Sequence, residues 1–224
     1  MPDVKGPDKR RYDASGRQAR ARERRRETVN AARELFERDG FRQTTIAAVA
    51  EAASVSAVSV YKGFGSKAAL AKAVFDVALA GDHEPVAVAE RPALAAVRDE
   101  PDVRRKIALF VEGLVERLAR SAKVQILIRD GRHVDDSLAP VWQAVQQEGL
   151  TGMAVFGRHL LETGQLRDGV DPDEVRDVLW NYLAIDHYER LVLTQGWSHG
   201  RYARWLGRAI TSALCADETT NSRR

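Results

Sequence analysis

Residues 26–70 read RETVNAARELFERDGFRQTTIAAVAEAASVSAVSVYKGFGSKAAL, and the reading of this stretch decides the fold. A first helix is expected from about Arg22 to Asp39, because Val29, Ala32, Leu35 and Phe36 recur on one face. Gly40 followed by Phe41 ends it as a glycine C-terminus with a hydrophobic contact. Thr44 is expected to cap a second helix whose apolar positions Ile46, Val49, Ala50 and Ala53 keep helical spacing. After a tight turn at 53–55, Ser56 is placed to cap a short third helix, Ala57 to Lys62, stopping at Gly63. Ser66 then caps a fourth, carrying Leu70, Val74 and Val77.

Two helices joined by a turn of three or four residues, the second short and polar outside, form the helix-turn-helix plan. A helix this short is held by its neighbours, so one face projects, and the major groove of DNA is wide enough to admit it. Thr44 and Thr45 sit at a helix start, where hydroxyls and free N–H groups suit a phosphate, and Lys67 holds the same place on the fourth helix. Ala57, Val58 and Ser59, just after Ser56, are placed to meet base edges, and Tyr61 and Lys62 point from the same helix. Each has an ordinary structural alternative: Thr44 as a plain cap, Tyr61 as a half-buried core residue.

At AARELFERDGF, TTIAAVAEAA, Val55-Ser56, Val60-Tyr61, Phe64, Ser66, Lys67 and Leu70 the chain resembles the DNA-binding domain of the TetR family of bacterial transcriptional regulators. The resemblance covers about the first third of the chain. It differs at Ser54, where the family usually has glycine, and at Gly63, where an aromatic residue or histidine is usual. It assigns Tyr61 to phosphate contact. It also implies a homodimer on a palindromic operator in double-stranded DNA, acting as a repressor released by a small molecule bound in a C-terminal helical bundle. The last two helices would pair with those of a second subunit.

The charge is distributed unevenly. Residues 1–67 hold 15 Lys and Arg against 9 Asp and Glu, a balance of +6, while the remainder holds 20 against 23, a balance of −3. A basic head on a mildly acidic body suits nucleic-acid binding, since phosphate neutralisation supplies most non-specific affinity. No run of about 20 apolar residues is present to span a membrane, and no apolar stretch follows the basic start, so a cytoplasmic protein without membrane attachment is expected. The single cysteine, Cys215, has no intrachain partner, in keeping with a reducing compartment. No cofactor or metal site is readable, because the five histidines include no i, i+4 pair.

The expected organisation is all-α: an N-terminal three-helix helix-turn-helix domain followed by a larger C-terminal bundle for ligand binding and dimerisation. Residues 1–20 read as a disordered basic arm, 21–80 as the DNA-binding domain, 81–101 as a Pro- and Gly-marked linker, 102–216 as the bundle, and 217–224 as a flexible tail. Arg26 and its neighbouring arginines lie beside the DNA-facing side, from which an arm can enter a minor groove. Beyond the linker, Val103, Ile107, Phe110, Leu114 and Leu118 form a stripe. Lys123 to Asp130 reads as a short separate helix or turn, 136–163 as a glycine-interrupted helix, 172–196 as one helix opened by Asp171-Pro172, and 198 onward as the last.

Phe110, Leu114, Trp142, Phe156, His159, Trp180 and Asp186 are the candidate ligand-binding residues, being aromatic, apolar or polar groups on these helices. His187, Tyr188, Leu191, Tyr202, Trp205, Leu206 and Ala209 are the candidates for the dimer interface. Core packing is the plainer role for any one of them. Two other functions compete. A sequence-tolerant DNA-binding protein without an effector would show steep salt dependence and no ligand response. An enzyme would need an acid, base or nucleophile set, and the chance S-x-x-K at Ser59 to Lys62 lacks its companion motifs.

Overall fold

The computed structural model describes residues 8–84 and 92–216, with side chains described over 16–84 and 94–216. Every regular element among them is helical. The chain divides into two compact units, residues 1–74 and 75–224.

The first unit contains α1 (Asp8–Gln43), α2 (Ile46–Ala52), α3 (Ala57–Phe64) and the start of α4 (Lys67–Ala80). Its core is built from Val29, Ala32, Phe36, Phe41, Val49, Val60, Leu70 and Val74. The rings of Phe36 and Phe41 stack at 5.6 Å across the break at Gly40, whose φ of 80° and ψ of 166° only glycine adopts at low steric cost. Caps follow the side-chain chemistry: Thr45 Oγ1 accepts from the Ala48 N–H, Ser56 Oγ from Ser59, and Ser66 Oγ from Ala69.

Three features differ from expectation. α1 is helical from Asp8, so the arm expected to be disordered is helical over 8–20, while residues 1–7 lie outside the described residues. Its Ala, Gln and Arg are strong helix formers, and Gly16 alone costs about 1 kcal/mol against them. Thr45, not Thr44, caps α2. α3 continues through Gly63 to Phe64 and stops at Gly65, which takes φ 80°. Gly63 stays helical because Arg25 Nη1 donates to its carbonyl and the Arg25 guanidinium covers the Phe64 ring.

The second unit holds the end of α4, then α5 (Pro92–Asp99), α6 (Val103–Gly131), a 3-10 turn (Asp136–Leu138), α7 (Ala139–Leu161), α8 (Pro172–Leu183), α9 (Ile185–Tyr188), a π-helical segment (Glu189–Thr194) and α10 (His199–Leu214). Asp102, Asp171 and Ser198 cap α6, α8 and α10. α6 packs on α5, α7, α9 and α10. One continuous core joins Ile107, Phe110, Leu114 and Leu118 of α6 to Phe156, Leu160, Leu179, Tyr202, Leu206 and Ile210. Val97 of α5, within the expected linker, also packs into it. The expected 217–224 tail lies outside the described residues.

Here too the elements differ from those expected. Residues 123–130 are no separate element but the last turns of the 29-residue α6. The expected helix over 172–196 breaks at Ala184 (φ −54°, ψ 127°) and resumes as α9 and the wider π segment, where Thr194 Oγ1 donates to Glu189 O, five residues back. Two of the three glycines of α7 serve close packing: a Cβ at Gly157 would stand 3.0 Å from Val175 Cγ1, and one at Gly149 3.2 Å from Leu183 Cδ2, while Gly152 faces open space. α8 therefore lies tight against α7. No helix among the described residues is long and apolar enough to cross a membrane.

Candidate nucleic-acid interface and effector domain

α3 is anchored by one residue and presents several. Val60 is buried in the head, while Val58 is 61% exposed, Tyr61 54% exposed, and Ser59 and Lys62 are exposed beside them. Ala57 is half-buried at the start of the helix. The turn before it places Ser54 at φ 53°, so serine accepts the left-handed conformation that glycine would adopt more readily. Ser56 is committed to the cap, and its hydroxyl also lies 2.8 Å from that of Ser59. The projecting face thus offers a branched aliphatic group, a hydroxyl, a phenol and an ammonium, a set able to meet base edges and phosphates.

Around α3, Thr45 is exposed at the N-terminus of α2, and Arg26 is exposed on α1 along with Arg20, Arg22 and Arg24. Two candidates for phosphate contact instead serve the interior of the head. Thr44 is only 2% exposed and its hydroxyl donates to Gly40 O at 2.8 Å, because it closes the break after α1 rather than opening α2. Lys67 Nζ donates to Phe41 O at 2.8 Å and Thr44 O at 3.1 Å, and lies 4.3 Å over the Phe41 ring. It ties α4 to the α1–α2 junction. The contact missing from the sequence reading is Arg25 on the end of α3; the arginine run contained it, but only the fold tells it apart from its neighbours.

The profile of bacterial regulatory proteins of the tetR family matches residues 29–74, the span from the middle of α1 to the middle of α4. Over these residues the chain matches the tetR family, and the match covers the head alone. The head is a TetR-like helix-turn-helix domain. Solved structures share its fold at low identity. One described as a TetR-family transcriptional regulator from Mesorhizobium loti is 17% identical with a TM-score of 0.66, covering 88% of this chain and 99% of that one. The regulator FadR from Bacillus subtilis in complex with stearoyl-CoA is 16% identical with a TM-score of 0.66, covering 84% and 97%. SmeT, the repressor of the Stenotrophomonas maltophilia multidrug efflux pump SmeDEF, is 18% identical with a TM-score of 0.59, covering 87% and 91%. Curated proteins give no match.

In the C-terminal unit the candidate ligand residues separate. Phe110, Leu114 and Phe156 come together in the core, with the two rings stacked at 4.0 Å between centroids. Trp142 packs at the edge of that core beneath the Arg132 guanidinium. His159 pairs with Glu162 at 3.2 Å and Trp180 is exposed, so neither joins the cluster. Asp186 turns away to Arg129, whose guanidinium also meets Asp130 and Glu189. Asp130 and Glu189 hold the Arg129 pKa above its ordinary value, the hydrogen bond that Arg129 donates to Asp130 contributing most.

The candidate interface residues separate likewise. Tyr188, Tyr202 and Leu206 are buried within one chain, where they support α10 against α6 and α9 and have no surface to give a partner. His187, Leu191, Trp205 and Ala209 stay half-buried. His187 and Trp205 join Tyr182 in a partly exposed aromatic patch, with Trp205 also meeting Trp197. The Tyr188 hydroxyl has a partner in His199 Nε2 at 2.9 Å. That of Tyr202 is the one buried side-chain polar atom among the described residues without a partner. Burial, with a contribution from Tyr188, holds the Tyr202 phenol above its ordinary range.

Proposed function

We propose that the chain is a homodimeric repressor of the TetR type that binds a palindromic operator and is released by a small molecule taken up in its C-terminal bundle. The observation that carries the DNA half is the exposed face of α3, with Val58, Ser59, Tyr61 and Lys62 presented from a helix anchored by Val60. In this reading Tyr61, Thr45 and Arg26 set position on phosphates, while Ser59, Lys62 and the Val58 methyls meet bases. Two such heads about 34–36 Å apart enter successive major grooves. The half-buried Trp205, Leu191 and Ala209, on and beside α10, form the face that meets a second subunit.

The release half draws on the neighbours, one solved with stearoyl-CoA and one named a repressor. A ligand favours the state it binds better, and DNA is lost when that state has the wrong head spacing. The test is fluorescence anisotropy on DNA flanking the chain's own gene. The reading expects a complex that survives excess unrelated DNA and is weakened by Lys62→Ala. Equal affinity for unrelated DNA, with a steep salt dependence, would instead establish a sequence-tolerant binder.

A further inference from the structure

A groove of about 410 Å³ runs between the start of α6 and α10 in the second unit. Buried Ile107 and Val111 lie beneath it, while exposed Ala108 of α6 and half-buried Ala203, Gly207 and Thr211 of α10 line its open part. With about 100° between successive helix residues, Gly207 stands on the far side of α10 from Trp205 and Ala209. The groove is therefore apart from the face proposed to meet a second subunit.

Arg204, Gly207, Arg208 and Thr211 hold the i, i+3, i+4 and i+7 positions of α10, so two guanidinium groups and a hydroxyl share one face around a residue without a side chain. Both arginines are exposed, and among the described residues neither donates to a carboxylate or a carbonyl. Like charges four apart on a helix repel each other. Glu112, the acidic residue of the lining, stands on α6 and pairs with neither. Arg104 is engaged at the end of the groove, where Nη2 donates to Ala216 O at 2.7 Å. Gly207 is an independent sign. Glycine is a poor helix former, and no neighbour demands one here, since an added Cβ would meet nothing within 4 Å. A ligand on this face would use the missing side chain by coming close to the helix backbone.

We propose that this groove binds a phosphate monoester with a compact apolar body, its phosphate bridged by Arg204 and Arg208 over Gly207 and its body laid on Ala108 and Ala203. The class follows from the lining. A carboxylate has two oxygens and fills one guanidinium fork, whereas the three terminal oxygens of a phosphate ester serve two forks one helical turn apart. Three arginines and one glutamate leave the lining two positive charges, which an ester close to dianionic at pH 7 balances. The Thr211 hydroxyl adds a neutral donor on the same face. The alanines and the arginine stems give the body apolar surface without a competing acceptor.

The test needs no DNA. Titration calorimetry of the full-length chain is run with phenyl phosphate, with uncharged benzyl alcohol, and with inorganic phosphate and sulfate. Phenyl phosphate is expected to bind at least tenfold more tightly than any of the other three. The double change Arg204→Gln, Arg208→Gln is expected to lower that affinity by about tenfold or more, the worth of one charged hydrogen bond or more. Gly207→Leu is expected to abolish binding by filling the groove. It is also expected to melt at or above wild type without ligand, because leucine is the better helix former and its Cβ meets open space.

The proposal is overturned if phenyl phosphate does not bind, or if either variant binds it as wild type does. Inorganic phosphate or sulfate binding as tightly as the ester would make this an adventitious ion only, and overturns it too. Sedimentation supplies the last arm: if either variant turns a dimer into monomers, a second copy of the chain covers the groove and the proposal fails. Failure on any of these arms leaves the operator reading standing, because that reading is tested on DNA alone.

Discussion

The guanidinium of Arg25 lies 4.3 Å over the ring of Phe64 and donates from Nη1 to Gly63 O at 3.1 Å, which fastens the long α1 to the C-terminal end of the exposed α3. Phe64 and Gly63 are the last residues of α3, so this contact sets how that end is held. Arg25→Ala is expected to cost about 1–2 kcal/mol of stability from the lost stacking and hydrogen bond. Its effect on DNA binding is expected to be larger than that of Lys62→Ala at raised temperature, because it frees a helix end rather than one contact. Melting curves and anisotropy on both variants check this; an Arg25→Ala chain with wild-type melting and DNA affinity would show that the contact holds nothing.

α1 extends well beyond the packed head, and residues 17–26 on it contain six arginines and one glutamate. A helix projects these charges at fixed spacing, unlike a loose arm, and each phosphate neutralised steepens the fall of log K with log salt by about 0.9. Removal of residues 1–20 takes away Lys5, Lys9, Arg10, Arg11, Arg17 and Arg20. The truncated chain is expected to bind DNA with a salt slope shallower by roughly one to three. An unchanged slope would mean that the extension stays off the DNA.

The head was largely legible because its signals are local. A hydroxyl before a helix, a glycine after one and a repeat of apolar residues act over three or four positions, and they placed Ser56, Ser66, Gly40 and Val49. Where two adjacent residues offered the same chemistry, as Thr44 and Thr45 do, sequence had no means of choosing, and burial of Thr44 under the Gly40 carbonyl made the choice. Lys67 shows the same limit: a lysine at a helix start reads as exposed until Phe41 and Thr44 are folded beside it. In the bundle, helical phase marks a residue as inward-facing without saying toward what. Phe110 and Phe156 turned out to face each other, and Tyr202 and Leu206 the core of their own chain. The break at Ala184 had no local signal either, since no Pro or Gly occupies it.

Arg129 is the hub between α6 and α9, with a side chain only 13% exposed and Asp130, Asp186 and Glu189 around it. Arg129→Met would leave three carboxylates facing one another with no cation between them. A loss of about 1–3 kcal/mol is expected, set by the charged hydrogen bonds removed and by the repulsion left behind. The double change with Asp186→Asn is expected to recover part of it, so a double-mutant cycle on denaturant unfolding isolates the pair. A cycle with zero coupling would leave Asp186 available to a ligand.

Tyr202 presents the opposite case, a group whose polar atom gains nothing from its place. Its ring is 0% exposed, packed edge-on against Tyr188, while its hydroxyl lacks a partner. Tyr202→Phe keeps the ring and removes an unsatisfied oxygen, so stability is expected to stay level or rise by up to about 1 kcal/mol. The pH dependence gives a second reading. The folded-state pKa of this phenol lies above its ordinary value of 10.0, because burial disfavours the phenolate. The unfolded chain therefore releases the proton first, and the stability Tyr202 contributes is complete below pH 10 and declines as pH rises beyond it. Wild type should thus lose stability between pH 10 and 11 faster than Tyr202→Phe, by up to about 1.4 kcal/mol per pH unit. Parallel curves, or a variant several degrees less stable at neutral pH, would mean that the hydroxyl is hydrogen-bonded to water in solution.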